Sequence, residues 1–260
     1  MEKDRKVVLL VIFYALVIFV IHYFRLGGKQ YSAITTIISY VSGIIPIYFG
    51  YLAINYFGLK TLQGKSVLFL TIAQAFWMLG DILWLALEIV GGTAAVSDIA
   101  YIAGYPMVLV GVYFGIKTVN LELVRDYKKI ACFTISLLIF FYFYLNCFPA
   151  SWDNEISFLE NVVTYGYSIA DLILLASASW LIFIVISGSF SIVWLLIGIS
   201  FLINFLADIY YSLNYETYAN GDLIDLGWYF AYLVYGLGLF YLRYNAEKAL
   251  ATAKEEMTKS

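Results

Sequence analysis

Apolar stretches long enough to cross a bilayer recur along the whole chain, separated by short polar breaks. They predict eight membrane spans, at 7–24, 35–58, 67–90, 98–118, 130–148, 161–186, 190–213 and 224–243. Within lipid, a single open segment satisfies its backbone only as a helix, so the expected fold is all-α and integral to the membrane. The loop between spans 3 and 4 and the loop between spans 6 and 7 are short, which predicts adjacent antiparallel hairpins. None of the loops is long enough to hold a soluble catalytic domain.

A second pattern lies on top of the first. FWMLGDILWLALE followed by SDIAYIAGYP is echoed by INFLADIYYSLNY followed by IDLGWYFAYL. Asp81 and Asp98 are 17 residues apart, as are Asp208 and Asp225. At the same offset of 127, Trp84 matches Tyr211, Tyr101 matches Trp228, and Tyr105 matches Tyr232. In spans 1–2 against 5–6 only Tyr40 with Tyr167 stands out. The register predicts two four-helix repeats. Four is even, so both repeats enter the membrane from the same side and the repeat is parallel. The expected organisation is a first repeat at 1–120, a basic cytoplasmic linker at 121–129, a second repeat at 130–244 and a helical cytoplasmic tail at 245–260.

Composition agrees with the membrane class: 63% of the residues are hydrophobic and 13% charged. Charge adds orientation. Of the 15 Lys and Arg residues, only Arg25 and Lys29 fall on one side of an eight-span arrangement. The others gather at the N-terminus, in loops 2–3 and 4–5, and in the tail. Both termini are therefore expected in the cytoplasm of a cell-membrane protein. Lys3, Arg5 and Lys6 resemble the start of a signal peptide, but the apolar run is long and no small-x-small cleavage site follows. The first span is expected to be an anchor. Cys132 and Cys147, near opposite ends of span 5, are too far apart on a straight helix for a disulfide.

The candidate chemistry sits on the repeated hairpins. Trp77, Asp81, Trp84 and Glu88 share one face of span 3, and Asn204, Asp208, Tyr211 and Tyr215 share the matching face of span 7. A carboxylate in a membrane costs about 2.5–3.5 kcal/mol on insertion scales, so it faces protein or water. Two readings of Asp81 and Asp208 follow. They line an outer-leaflet pocket whose rings stack on a ligand, or they accept hydrogen bonds from Trp and Tyr of the partner helix and fix the hairpin. Asp98 and Asp225 open spans 4 and 8, where an acid favours a helix N-terminus. Asp171 lies mid-span in helix 6, and its counterpart by offset is Ile44, so the repeat does not account for it. The residues expected to bind a ligand are Asp81, Trp84, Glu88, Tyr101, Tyr105, Asp171, Asp208, Tyr211, Trp228 and Tyr232.

Several functions are disfavoured. His22 is the only histidine, near the outer end of span 1, which excludes a bis-histidine haem or a three-histidine metal site within one chain. Every lysine is terminal or in a loop, with Lys117 at an inner helix end, so a retinal Schiff base has no deep lysine. A phosphate loop, a nucleophile elbow and HExxH are all missing from the sequence. No catalytic residue, metal ligand, cofactor or nucleic-acid partner is expected.

WxxGDxxW, a short loop and SDIAYIAGYP together resemble a multi-span membrane domain found at the N-terminus of many bacterial and archaeal sensor proteins. There it precedes a diguanylate cyclase, PAS or histidine-kinase output. The resemblance covers 77–111, with a fainter echo at 208–232. It implies a non-enzymatic sensing or signalling module in a prokaryotic membrane, binding a small or lipid-like ligand in the outer half of the bundle. After Tyr244 this sequence has only a short tail, which fits either a stand-alone relative that signals through a cytoplasmic partner or a homo-oligomer formed by the C-terminal helix, or an isolated domain. The alternatives are a secondary transporter using the intramembrane acids, a membrane enzyme acting on lipids or isoprenoids, and a structural subunit of a larger complex.

Overall fold

A computed structural model describes residues 2–90, 95–118, 134, 138, 142, 158–186, 192–214 and 217–259 of the chain. The long elements among them are helices: α1 (Glu2–Tyr23), α2 (Tyr31–Phe57), α3 (Leu62–Val90), α4 (Ala95–Lys117), α5 (Phe158–Ile186), α6 (Ile192–Asn214) and α7 (Asp225–Lys259). A 3-10 turn, Gly28–Gln30, precedes α2. Helices α5, α6 and α7 occupy the predicted sixth, seventh and eighth spans. The fifth span and the 121–129 linker lie outside the described residues, apart from helical positions 134, 138 and 142.

Among the described residues five segments are long and apolar enough to cross a membrane: Arg5–Tyr23, Gly28–Phe57, Leu62–Leu87, Val96–Lys117 and Ile192–Tyr211. Helix α5 contributes a shorter apolar stretch, Ile169–Ile182. Local sequence sets the ends. Gly58, at φ +72°, closes α2 and donates its N–H to the Ile54 carbonyl at 2.8 Å. Thr61 then caps α3, its hydroxyl accepting the Gly64 N–H at 2.9 Å. Pro46 and Pro106 lie inside α2 and α4, and both helices continue through them.

Among the described residues, helices α2 to α7 form a closed ring. α2 packs on α3, α3 on α4, α4 on α5, α5 on α6 and α6 on α7, and α7 returns to α2. α1 stands outside the ring against α7. One core fills the ring with side chains that include Leu70, Trp77, Tyr105, Leu174, Ile197, Phe201 and Tyr235. A smaller one, with Ile18, Ile38 and Leu233, joins α1, α2 and α7.

Polarity is inverted relative to a protein in water. Ile37, Ile44, Leu79, Ile82, Leu109, Ile169 and Leu206 are exposed, while Ser66, Gln74, Asp171, Ser177, Ser200 and Asn204 are buried. Such a surface matches a lipid solvent, which rewards apolar side chains outside and makes polar ones pair inside.

The ring is drawn tight where small residues let helices touch. A Cβ on Gly111 of α4 would lie 2.7 Å from the Leu70 side chain of α3. A Cβ on Gly238 of α7 would lie 2.8 Å from the Ile197 side chain of α6. Both members of the second pair stand 127 residues beyond the first. α7 and α2 approach at Gly236, whose added Cβ would meet the Pro46 nitrogen at 3.3 Å.

Candidate functional site

Asp81 leaves α3 one residue after Gly80. The absent side chain at Gly80 makes room for the Tyr101 ring, which a Cβ there would meet at 2.5 Å. Tyr101, from α4, donates its hydroxyl to Asp81 Oδ1 at 2.7 Å. Ser39, from α2, donates to Oδ2 at 3.3 Å. One carboxyl therefore ties three helices together.

The second hairpin repeats the arrangement and enlarges it. Trp228, from α7, donates its indole N–H to Asp208 Oδ1 at 2.7 Å. On Oδ2 the Asn204 amide donates from one turn earlier in α6 at 2.9 Å, and Tyr105 reaches across from α4 at 3.5 Å. The carboxyl of Asp171, from α5, lies in hydrogen-bonding contact with that of Asp208. Asp171 is only 3% exposed, and its Oδ1 has no hydrogen-bond partner. Four helices converge on this pair of acids.

The interior around the pair is polar on both sides. Trp77 meets Tyr105 edge-on, with ring centroids 5.5 Å apart, and its indole N–H has no partner. Gln74 is fully buried, and its amide approaches the Tyr232 hydroxyl without forming a well-aligned hydrogen bond. Tyr232 is buried on α7 and feels Asp81 and Asp208 electrostatically.

The acids opening α4 and α7 act between segments as well as on the helix ends. Asp98 accepts the Tyr167 hydroxyl of α5 at 2.7 Å. Asp225, 2% exposed, accepts the Gly221 N–H at 2.8 Å and the Tyr218 hydroxyl at 3.0 Å, fixing the loop before α7. Burial first, and then the Asp225 charge, push the Tyr218 hydroxyl above its ordinary value.

Next to that loop lies an open cleft of about 500 Å³, lined by Arg25, Tyr210, Tyr211, Asn214, Tyr218 and Asp222 among others. Tyr211, Tyr218 and Trp228 meet edge-on at its inner side. Arg25 and Asp222 form an ion pair of 3.3 Å at its rim.

The ten residues singled out by sequence therefore divide. Asp171, Asp208, Trp228 and Tyr105 form one connected centre. Asp81 and Tyr101 form a separate bridge. Tyr232 stands within electrostatic range of both acids, and Tyr211 borders the cleft. Trp84 is half-buried on α3 one turn beyond Asp81, and the side chain of Glu88 lies outside the described residues. Sequence reasoning missed Ser39, Gln74 and Tyr218. Ser39 and Tyr218 have no equivalent polar residue at the 127 offset, so the register could not mark them. His22, near the end of α1, is 2% exposed, with Tyr31 and Tyr229 edge-on to its ring and Nδ1 3.1 Å from the Ile18 carbonyl oxygen.

Among the described residues no three His, Cys, Asp or Glu side chains gather as a metal site. No protein-family model matches the chain, and neither a curated protein nor a solved structure matches it.

Proposed function

We propose that the chain is a polytopic sensing and signalling module of a prokaryotic cell membrane. In this reading it has eight spans in two parallel four-helix halves and both termini in the cytoplasm. A small or lipid-like ligand enters the outer cleft beside Tyr211 and Tyr218. The likeness of 77–111 to the membrane domains of sensor proteins supports this reading, as do the lipid-suited exterior and the matching Tyr101–Asp81 and Trp228–Asp208 bonds.

One observation carries it. α7 runs as a single helix from Asp225 to Lys259, about 52 Å at 1.5 Å per residue. Its first turns hold Asp225, Trp228 and Tyr232, and its last turns, 248–258, are exposed. A displacement of the Trp228–Asp208 contact is transmitted along a rigid rod to a surface where a partner or a second copy can read it.

A spin label at Ala251, in a variant whose Cys132 and Cys147 are replaced, tests this in lipid nanodiscs. The tail label is expected to change mobility or distance when Trp228→Phe or Asp208→Asn alters the centre. An unchanged tail in both variants would overturn the reading.

The carboxyl pair of Asp171 and Asp208 favours a second reading, transport driven by a cation. Proton- or sodium-dependent uptake into proteoliposomes would establish it, and the sensing role predicts none.

A further inference from the structure

We propose that Asp171 and Asp208 form an intramembrane binding site for one exchangeable proton, held between α5 and α6. This goes beyond the sensing role and does not depend on it.

The argument begins with donor and acceptor counts. An ionised carboxylate only accepts hydrogen bonds, so two carboxyl groups in hydrogen-bonding contact require a proton on one of them. Asp208 accepts from the Trp228 indole, the Asn204 amide and the Tyr105 hydroxyl. Three donors aimed at one carboxyl favour its charged form. Asp171 has a buried oxygen with no partner. Leaving a neutral carbonyl oxygen unpaired costs far less than leaving half of a carboxylate unpaired. The proton therefore sits on Asp171, whose O–H donates to Asp208.

Among the described residues, neighbouring groups offer no substitute cation. α5 and α6 contain no Lys, Arg or His, and the basic residues of α4 and α7 begin at Lys117 and Arg243, toward the opposite end from Asp98 and Asp225. The groups facing the pair from α4 and α7 are Tyr105, Trp228 and Tyr232, all neutral donors. Asp81 on α3, which also acts electrostatically on Tyr232, is an acid and supplies no cation. Losing the proton would leave two carboxylates facing each other, so its release must loosen the α5–α6 contact.

Polar groups also lie between the pair and the end of the bundle. Tyr167 of α5 interacts electrostatically with Tyr105 and Asp208 and donates to Asp98 at 2.7 Å. Asp98 is in the first turn of α4, at the end of the bundle, and is partly exposed. Tyr167 and Asp98 therefore stand between the acid pair and the water at the end of α4.

Infrared spectroscopy of the full chain in nanodiscs tests the proposal through the carbonyl stretch of protonated carboxyls. Raising the pH is expected to bleach a band of one carboxyl per chain that shifts in heavy water. Asp171→Asn should lose that band, Asp171→Glu should shift it, and Asp81→Asn should keep it. A band unchanged in folded Asp171→Asn would overturn the proposal. Loss of the wild-type band on replacing N-methylglucamine with sodium at constant pH would overturn it in favour of a sodium site. The tail label at Ala251 separates the two ideas: a bleached band with an unmoved tail leaves the proton site standing and removes the sensing role.

Discussion

Trp228 donates its indole N–H to Asp208 from 20 residues further along the chain, just as Tyr101 donates its hydroxyl to Asp81, and both bonds measure 2.7 Å. Two different donors, an indole and a phenol, reach the same carboxyl oxygen across equivalent hairpins. Substituting either donor leaves a buried acid short of a partner. Tyr101→Phe and Trp228→Phe are each expected to cost about 1–2 kcal/mol of stability. Ser39→Ala, which removes only a 3.3 Å bond to Asp81, should cost less. Thermal unfolding in detergent ranks the three, and a neutral Trp228→Phe beside a costly Tyr101→Phe would count against equivalent hairpins.

The glycine contacts make a second pair. Gly111→Ala and Gly238→Ala each place a methyl within 2.8 Å of a side chain on the facing helix, so the helices must separate. Both should lose about 1–3 kcal/mol. Gly43→Ala is the control, because its new methyl meets Met78 at an ordinary 3.7 Å. A chemical denaturation series that found all three alike would contradict the tight hairpin packing.

Asp171 and Asp208 should respond unequally to the same chemical change. In Asp171→Asn the new amide N–H replaces the acid's O–H and still donates to Asp208, so stability should stay within about 1 kcal/mol. In Asp208→Asn the new amide presents its own donors to those of Asn204 and Tyr105. That variant should fall by about 2–4 kcal/mol. Unfolding midpoints of the two variants, measured side by side, decide the matter; equal losses would contradict the assigned roles.

The loop before α7 is clamped to α2. Tyr31 donates to the Gly221 carbonyl, and Gly221 has φ +93°. A Cβ there would also meet the Tyr31 ring at 2.5 Å. Gly221→Ala and Tyr31→Phe should therefore release the loop and speed its cleavage by protease. Arg25→Ala removes an ion pair whose arginine side chain is 71% exposed, and it should change stability by no more than about 0.5 kcal/mol.

Much of this could be read from residue spacing. The 127-residue register matched Tyr101 with Trp228 and Asp81 with Asp208, and one of the two readings of those acids had them accept hydrogen bonds from Trp or Tyr of the partner helix. The same register holds for Gly111 with Leu70 and Gly238 with Ile197, but glycine carries no polar signature and the contact shows only in three dimensions. Asp171 stood out as an acid without a counterpart, yet its meeting with Asp208 joins two helices whose relative rotation no single-helix pattern specifies. Tyr105 donates across the ring to Asp208 for the same reason. Periodicity tells which face of a helix is polar; the neighbour it turns to is set by how the whole ring closes.

Closure of that ring also orders the birth of the protein. Helix α2 emerges from the ribosome early and pairs with α3, but its other flank, at Thr35 and Pro46, belongs to Tyr229 and Gly236 of α7. Until α7 is made, that flank is open to lipid or to a chaperone in the membrane. Insertion machinery must therefore hold an unfinished arc of helices for most of translation, and an interruption before α7 would leave a product that is inserted but cannot close.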